Sequence, residues 1–257
     1  MPSVNLQSDI ILAGDGTEYH FRFLEWDTDF FGISSYFLDT DNYMFKCSEG
    51  LRSKIELELK KSFVTAKIGM AYGKEVIHFL QSAGFAYIIT EFVLRLNFSG
   101  HREVINRGDI IIDKLTENIS LPYEELGSAF TYTRFHSDTR ISRQTADLLW
   151  IEYIRNYKPS PQRHIFVARS GREIAGAILV NEDDSEKQAT LCFVAVIDRF
   201  KGRGVGAMMV NYIANCFRGY SIRTETQSRN LGALNFYIKN GFSIVEDSKV
   251  IMHRWDT

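Results

Sequence analysis

The segment Val194-Ala195-Val196-Ile197-Asp198-Arg199-Phe200-Lys201-Gly202-Arg203-Gly204-Val205-Gly206-Ala207 has the residue types and spacing to hold an anion. An apolar run leads into a glycine-rich turn, and the turn leads into a helix. Gly202, Gly204 and Gly206 let the backbone curl so that several N–H groups point into one concavity. The helix N-terminus adds its partial positive charge at the same place. Lys201 and Arg203 supply mobile positive charge beside it. The chemistry such a turn suits is binding of a pyrophosphate. Taken alone, GxGxG also reads as a tight strand–helix turn with solvated charges. Two other phosphate motifs do not fit. A Walker loop needs GxxxxGK[ST], which is absent. A dinucleotide GxGxxG follows the first strand of a βαβ unit, with an acid about 20 residues on. Here the strand comes late in the chain. A second element follows: Thr224-Glu225-Thr226-Gln227 ends a strand, then come Asn230, Ala233, Tyr237 and Gly241-Phe242.

The elements that must position these residues are read from periodicity. The second half reads as helix, three strands, helix, strand, helix, strand. Ser142 is a fit N-cap for a helix over Arg143–Arg155. Ile165–Arg169 and Glu173–Val180 form a hairpin, Asn181–Lys187 an acidic turn, and Thr190–Val196 a central strand. Gly202–Gly206 opens a helix that runs to Phe217. Tyr220–Thr226 is a strand, Gly232–Lys239 a helix, and Phe242–Trp255 a final strand pair. In the first half, Ile10–Ala13 and Tyr19–Trp26 read as strands around a turn at Gly14-Asp15-Gly16. Ile55–Ser62 reads as a helix, Phe63–Met70 as a strand, Lys74–Ala83 as a helix stopped by Gly84, and Phe85–Phe98 as a long strand. Residues 99–125 turn polar and carry Pro122, with a short strand at Ile110–Ile112. The domain boundary is placed there: 1–125 as an N-terminal α/β subdomain, 126–257 as the domain with the glycine turn. Phe79–Phe85 aligns with Phe236–Phe242, each a helix end, a glycine and a Phe-led strand. Two readings stand for this echo: the common look of any helix–Gly–strand unit, or a degenerate duplication that lost its chemistry.

Composition narrows the classes. At 257 residues the chain is one large domain or two small ones. Thirty-two acids against thirty bases give a net charge of −2, which argues against a nucleic-acid protein working through a global basic field. Three scattered cysteines, Cys47, Cys192 and Cys216, form no CxxC and no metal-ligand spacing, so a reducing compartment and no metal are expected. No apolar run reaches about 18 residues. The N-terminal MPSVNLQSD has neither a basic region nor an apolar core, so no signal peptide and a cytoplasmic location are expected.

Lys201-Gly202-Arg203-Gly204-Val205-Gly206, followed by Asn230…Ala233…Tyr237…Gly241-Phe242, resembles the paired signature [QR]xxGx[GA] and NxxAxxxYxxxGF of the GNAT superfamily of N-acetyltransferases. Lys201 stands where that family usually has Gln or Arg, and it meets a phosphate as a point charge without a bidentate fork. Leu24-Glu25-Trp26-Asp27-Thr28-Asp29-Phe30-Phe31-Gly32 resembles the LxWDxxFFG motif of the TDP-fucosamine acetyltransferase group. Arg134-Phe135-His136-Ser137-Asp138 resembles its RFHxD segment, and Thr226-Gln227…Asn230 its TQxxN stretch.

The resemblance implies an α/β (α+β) GNAT fold. A mixed, mostly antiparallel sheet with splayed central strands would be flanked by helices, with a degenerate GNAT-like half at the N-terminus as one reading of residues 1–125. It implies that acetyl-CoA lies in the splay as co-substrate. Its pantetheine would pair with backbone near Val194, Ala195 and Val196, and its pyrophosphate would sit on Lys201, Gly202, Arg203, Gly204, Val205, Gly206 and Ala207. Asn230 would be a coenzyme contact or helix cap. Tyr237 would be the acid that protonates the leaving thiolate, against the plainer reading of a half-buried tyrosine bonded to backbone. The base stays open among Glu225, His136, Asp138 and a water chain. Arg134 and Arg140 are where a substrate pyrophosphate would be met. Trp26, Phe30 and Phe31 either wall the acceptor pocket or staple the two halves together. The implied acceptor is the amine of a nucleotide-linked amino sugar. The alternatives are a peptide or polyamine acceptor, or a non-catalytic acyl-CoA-binding module. A homodimer through the last strands is a habit of that family.

Overall fold

The computed structural model describes residues 8–14, 16–40, 45–70, 73–98, 100–104, 108–115, 120–245 and 248–256. Its strands are β1 (Ile10–Gly14), β2 (Thr17–Phe23), β3 (Ser34–Asp39), β4 (Ser62–Gly69), β5 (Ala86–Asn97), β6 (Ile110–Leu115), β7 (Arg163–Ser170), β8 (Glu173–Asp183), β9 (Gln188–Val196), β10 (Ser221–Gln227), β11 (Ser243–Ile244) and β12 (Lys249–Trp255). Its helices are α1 (Glu25–Phe31), α2 (Glu49–Glu58), α3 (Gly73–Ser82), α4 (Tyr123–Gly127), α5 (Arg134–Ser137), α6 (Arg143–Asn156), α7 (Val205–Cys216) and α8 (Leu231–Lys239).

The chain forms two compact units, Met1–Glu91 with Glu246–Thr257, and Phe92–Val245. The contacts therefore do not part at residue 125. β6 hydrogen-bonds to β7 and so joins the second unit, whereas β12 pairs with β4 and with the first part of β5 and so joins the first. The expected final strand pair is corrected by the same contacts: β11 pairs with β5, and β12 lies between β4 and β5.

In the first unit the strand order is β1-β2-β3-β4-β12-β5. The β1–β2 hairpin closes at Gly14↔Thr17 over a two-residue turn whose Gly16 has φ +77°; Asp15 lies outside the described residues. β3 and β4 run parallel, joined through α2. The α2 helix starts earlier than Ile55, because the Ser48 hydroxyl accepts the Leu51 N–H and fixes the first turn. One sheet face buries Tyr19, Phe21, Leu38, Val64 and Met252 with Leu51, Ile55 and Leu80 of the helices. The WDxxFFG stretch is a short helix, α1, ended by Gly32 in the left-handed region. Trp26 stacks on Phe30 at 5.4 Å, and Phe31 packs edge-on against Phe63 and Trp255, which stack on each other at 4.1 Å. These aromatics staple α1, β4 and β12 within one unit.

In the second unit the order is β5-β10-β9-β8-β7-β6, with β11 also on β5. β6 to β9 are antiparallel neighbours, and β9 and β10 are parallel, joined through α7. Strands expected to end at Val180 and begin at Thr190 continue to Asp183 and from Gln188, because their backbones keep pairing across the acidic turn. Phe166, Ile178, Leu179, Phe193, Met209, Val210 and Ile213 fill the core. Both units repeat one order: a parallel strand pair joined by a helix, then a second helix, a positive-φ glycine and a strand. The glycines are Gly84 at φ +87° and Gly241 at φ +88°.

Candidate active site

The parallel pairing of β9 and β10 is incomplete. It runs from Ser221↔Gln188 to Thr224↔Leu191 and stops there, although β9 continues to Val196 and β10 to Gln227. The separation coincides with a β-bulge. Leu179 pairs with Phe193 and Val180 with Leu191, so Cys192 has no opposite residue on β8. A bulge bends its strand and raises the local twist, which turns the rest of β9 away from β10. Beyond Leu191 the β10-facing edge of β9 has no strand partner among the described residues, and its peptide groups suit an extended ligand. On the other side of β9, Gly176, opposite Val196, lets β8 approach closely. A Cβ there would come within 2.7 Å of the Ala195 carbonyl oxygen.

A cavity of about 610 Å³ opens at this fork. Val194, Ala195 and Val196 of β9 line it, with Lys201, Gly202, Gly204, Val205, Gly206 and Ala207 of the turn and Asn230 and Tyr237 of the α8 region. Gly202 and Gly204 adopt φ +77° and +81°, the left-handed conformation that glycine takes without strain. Gly204 is the N-cap of α7 and offers no side-chain acceptor, so the first-turn amides of α7 are left uncapped by any side chain. That is the condition a helix needs to receive an anion there. Gly206 brings α8 close: a Cβ on it would sit 3.0 Å from the Phe236 ring. The Asn230 side chain accepts the Ala233 N–H and caps α8 while still facing the cavity.

Tyr237 is a buried polar group at the fork. Its ring is packed by Phe236 and Phe242 at 5.2 and 5.3 Å, and its hydroxyl lies 3.4 Å from Thr224 Oγ1. Thr224 Oγ1 is in turn 3.2 Å from the carbonyl of Leu191, the last paired residue of β9. Burial pushes the Tyr237 pKa up to about 12, against a smaller opposing effect from Thr224, so the hydroxyl holds its proton at neutral pH.

Of the other expected site residues, Lys201 lines this cavity and the rest do not. Arg203 is not in its wall; its guanidinium lies over the Phe200 ring at 5.3 Å. Lys201 is half-exposed and pairs with Asp198 at 2.5 Å. Lys201→Ala should therefore raise the acetyl-CoA Kd by no more than about fivefold, the scale of an exposed ion pair, as read by calorimetry. Glu225 pairs with Arg223 at 3.0 Å. His136 faces a second cavity of about 440 Å³ with Thr131, Tyr132, Asp138 and Arg143. Both its ring nitrogens are engaged, Nδ1 at 2.7 Å from Thr133 Oγ1 and Nε2 at 2.9 Å from Asp147 Oδ1, which ties α5 to α6. Arg140 is held bidentately by Asp138, and the Arg134 guanidinium stacks on Phe135 at 4.3 Å. Trp26 and Phe31 belong to the first unit and are packed as described above. Sequence reading missed Ala129, Thr131 and Tyr132, which line the main cavity from the loop after α4, and gave no site role to Phe200, Gly232, Ala233 and Phe236, which line it too. The loop residues carry no periodic or motif signal. Phe236 lies beside Tyr237 inside the Asn230–Phe242 motif and could have been found there.

Among the described residues the first unit lacks each of these features at the corresponding places. β3 and β4 stay paired over six residues, from Ser34↔Ser62 to Asp39↔Lys67, so no fork opens. The β3–α2 connection holds no glycine, and Ser48 caps α2 while Glu49 puts a carboxylate in its first turn. Leu80 stands where Tyr237 stands in the echo.

Residues 123–242 match the family model described as Acetyltransferase (GNAT) family. No curated protein matches the chain as a relative. Among solved structures, a GCN5-related N-acetyltransferase from Sphaerobacter thermophilus shares the fold at TM-score 0.63 and 14% identity, over 99% of this chain and 83% of that one. A GCN5-related N-acetyltransferase from Kribbella flavida does so at TM-score 0.62 and 12% identity, over 96% and 90%. A tandem GNAT protein from the clavulanic acid biosynthesis pathway matches at TM-score 0.57 and 12% identity, over 97% and 82%. The mixed, mostly antiparallel sheet flanked by helices is thus the GNAT fold, and the segment 123–242 that builds the forked cavity is the part similar to the acetyltransferase (GNAT) family.

Proposed function

We propose that the protein is an acetyl-CoA-dependent N-acetyltransferase acting by direct transfer in a ternary complex, with the amine of a nucleotide-linked amino sugar of the dTDP-4-amino-4,6-dideoxyhexose type as acceptor. The observation that carries the transfer is the fork itself: an unpaired strand edge, uncapped α7 amides at one end, and a protonated Tyr237 where β9 and β10 part. These fit acetyl-CoA as donor. The edge of Val194–Val196 suits the amide-bearing pantetheine, and the amides of Gly204–Ala207 suit the pyrophosphate. When bound, acetyl-CoA supplies a thioester carbonyl for a neutral amine to attack. The chain's contribution is to hold the donor extended, to offer an N–H near Ala195 to the oxyanion, and to keep a proton at Tyr237 Oη for the thiolate.

The acceptor class is supported by the motifs at Leu24–Gly32, Arg134–Asp138 and Thr226–Asn230. The first unit is read as non-catalytic, since it has no fork, no glycine turn and no tyrosine at the matching places. A cytoplasmic location and a homodimer complete the reading. Among the described residues no helix is long and apolar enough to cross a membrane.

Thiol release from acetyl-CoA, measured over dTDP-linked amino sugars, polyamines and amino-terminal peptides, tests this. Turnover is expected with a dTDP-4-amino-4,6-dideoxyhexose at a kcat/KM of at least about 10⁴ M⁻¹s⁻¹. A polyamine or peptide as the preferred acceptor would move the substrate class. Tight coenzyme binding with no thiol release from any acceptor would leave a binding module.

A further inference from the structure

Arg102 lies in the segment between β5 and β6, outside the cavity and outside every motif noted above. It nevertheless holds together the two helices that build the site. Its guanidinium Nη1 donates to Asn211 Oδ1 of α7 at 2.9 Å and to the carbonyl of Asn240, the C-cap of α8, at 2.8 Å. Its backbone is clamped as well. The Arg102 N–H donates to Asn215 Oδ1 at 2.9 Å, and Asn215 Nδ2 donates back to the Arg102 carbonyl at 2.8 Å. Asn211 Nδ2 donates to the next carbonyl, Glu103, at 3.1 Å. Asn211 and Asn215 are four residues apart, so one face of α7 presents both amides. The guanidinium also lies over the Phe98 ring at 5.3 Å. Gly241 leaves the room: a Cβ there would meet Arg102 Nη2 at 2.6 Å.

The position of the α8 end matters because Tyr237 is three residues from Asn240. Four residues before Asn240, Phe236 of the same helix packs against Gly206 of α7. The last turn of a helix has carbonyls without intrahelical partners, and a cation there satisfies one and complements the dipole. The C-terminal half of α8, which carries Tyr237, is therefore held to α7 by the Phe236 packing and by one arginine.

We infer that Arg102 is a positioning residue for the transfer reaction: it clips the C-terminal end of α8 to α7 and thereby sets where the Tyr237 hydroxyl stands at the fork. This rests on the assignment of Tyr237 as proton donor, and the test separates the two.

The test uses the full chain and the variants Arg102→Ala, Arg102→Lys and Asn215→Ala. Kinetics are read by thiol release with acetyl-CoA and the nucleotide amino sugar panel, and the helix by hydrogen–deuterium exchange. In Arg102→Ala, exchange of the 236–242 amides should rise while that of Glu173–Val196 stays unchanged. Turnover should fall about tenfold, as for a misplaced catalytic group, with the acetyl-CoA KM within about threefold. Arg102→Lys, which keeps one donor head, should recover part of the loss. In a Tyr237→Phe background, Arg102→Ala should cost nothing further. Unchanged exchange in the 236–242 segment would overturn the clip. A full additional loss in the Tyr237→Phe background would overturn the coupling to Tyr237. If Tyr237→Phe alone keeps wild-type turnover, the donor assignment falls and with it the coupling, while the exchange result still decides whether Arg102 holds α8. Should Arg102→Ala not fold, Asn215→Ala releases the same segment and carries the same expectations.

Discussion

Tyr237→Phe lowers turnover by about 10²–10⁴-fold, the usual range for removing a general acid, and leaves acetyl-CoA affinity within about threefold. The substitution deletes one oxygen and keeps the ring. That ring is held by Phe236 and Phe242 and makes the wall of the cavity, so the pocket shape survives. What disappears is the proton at the point where β9 and β10 separate. Burial, which pushes the Tyr237 pKa up to about 12, keeps that proton in place across the working range. The pH dependence has a defined sign. An unfolded tyrosine ionises near its reference value of about 10. Above that pH the unfolded chain has lost its proton and the folded one has not, so stability falls as pH rises from about 10 to about 12. Tyr237→Phe should remove this part of the alkaline loss, seen as a flatter Tm-against-pH curve in that window. Wild-type turnover in the variant would sink the assignment.

The site was more legible in the chain than the architecture around it, for a physical reason. The glycine turn, the α7 start, Asn230 and Tyr237 lie within one stretch of about 40 residues, where local backbone chemistry dictates the residue types. Ser142 as a cap was equally local: its hydroxyl accepts the Thr145 N–H. The unit boundary was not local. Lys249–Trp255 reads as a strand, but nothing in its alternation says that it pairs with Phe63–Gly69 and Ala86–Glu91, far back along the chain. Only the family resemblance implied the fork. It depends on one unpaired residue, Cys192, and on pairing that ends at Thr224↔Leu191, and neither leaves a compositional mark. The Trp26–Phe31 stretch was unreadable in a different way. The seven residues Glu25–Phe31 are too few to show helical periodicity, Leu24 gives no side-chain cap, and the strand expected over Tyr19–Trp26 ends at Phe23. The Phe79–Phe85 echo gains weight from the repeated element order and the paired glycines at φ +87° and +88°.

Gly204→Val should raise the acetyl-CoA Kd by at least about 100-fold while leaving the chain folded. Gly204 is both the N-cap of α7 and a left-handed residue, with φ +81° and ψ 5°. A β-branched side chain in that region is disfavoured by on the order of 1–2 kcal/mol or more. The turn can relieve this only by rotating φ to negative values, which swings away the amides that follow. Two hydrogen bonds to a charged phosphate are worth roughly 3 kcal/mol together, and losing them is about a 100-fold change in affinity. The strain itself is small against a fold of this size. Gly219→Val separates the two effects. Gly219 has φ +87° with nothing within 4 Å of an added Cβ, and it does not line the forked cavity. It should show a similar drop in Tm and an unchanged acetyl-CoA Kd by calorimetry. If Gly219→Val weakened acetyl-CoA binding as much as Gly204→Val, general strain rather than the α7 amides would explain the loss. If Gly204→Val bound normally, the pyrophosphate would have to be held elsewhere than at the start of α7.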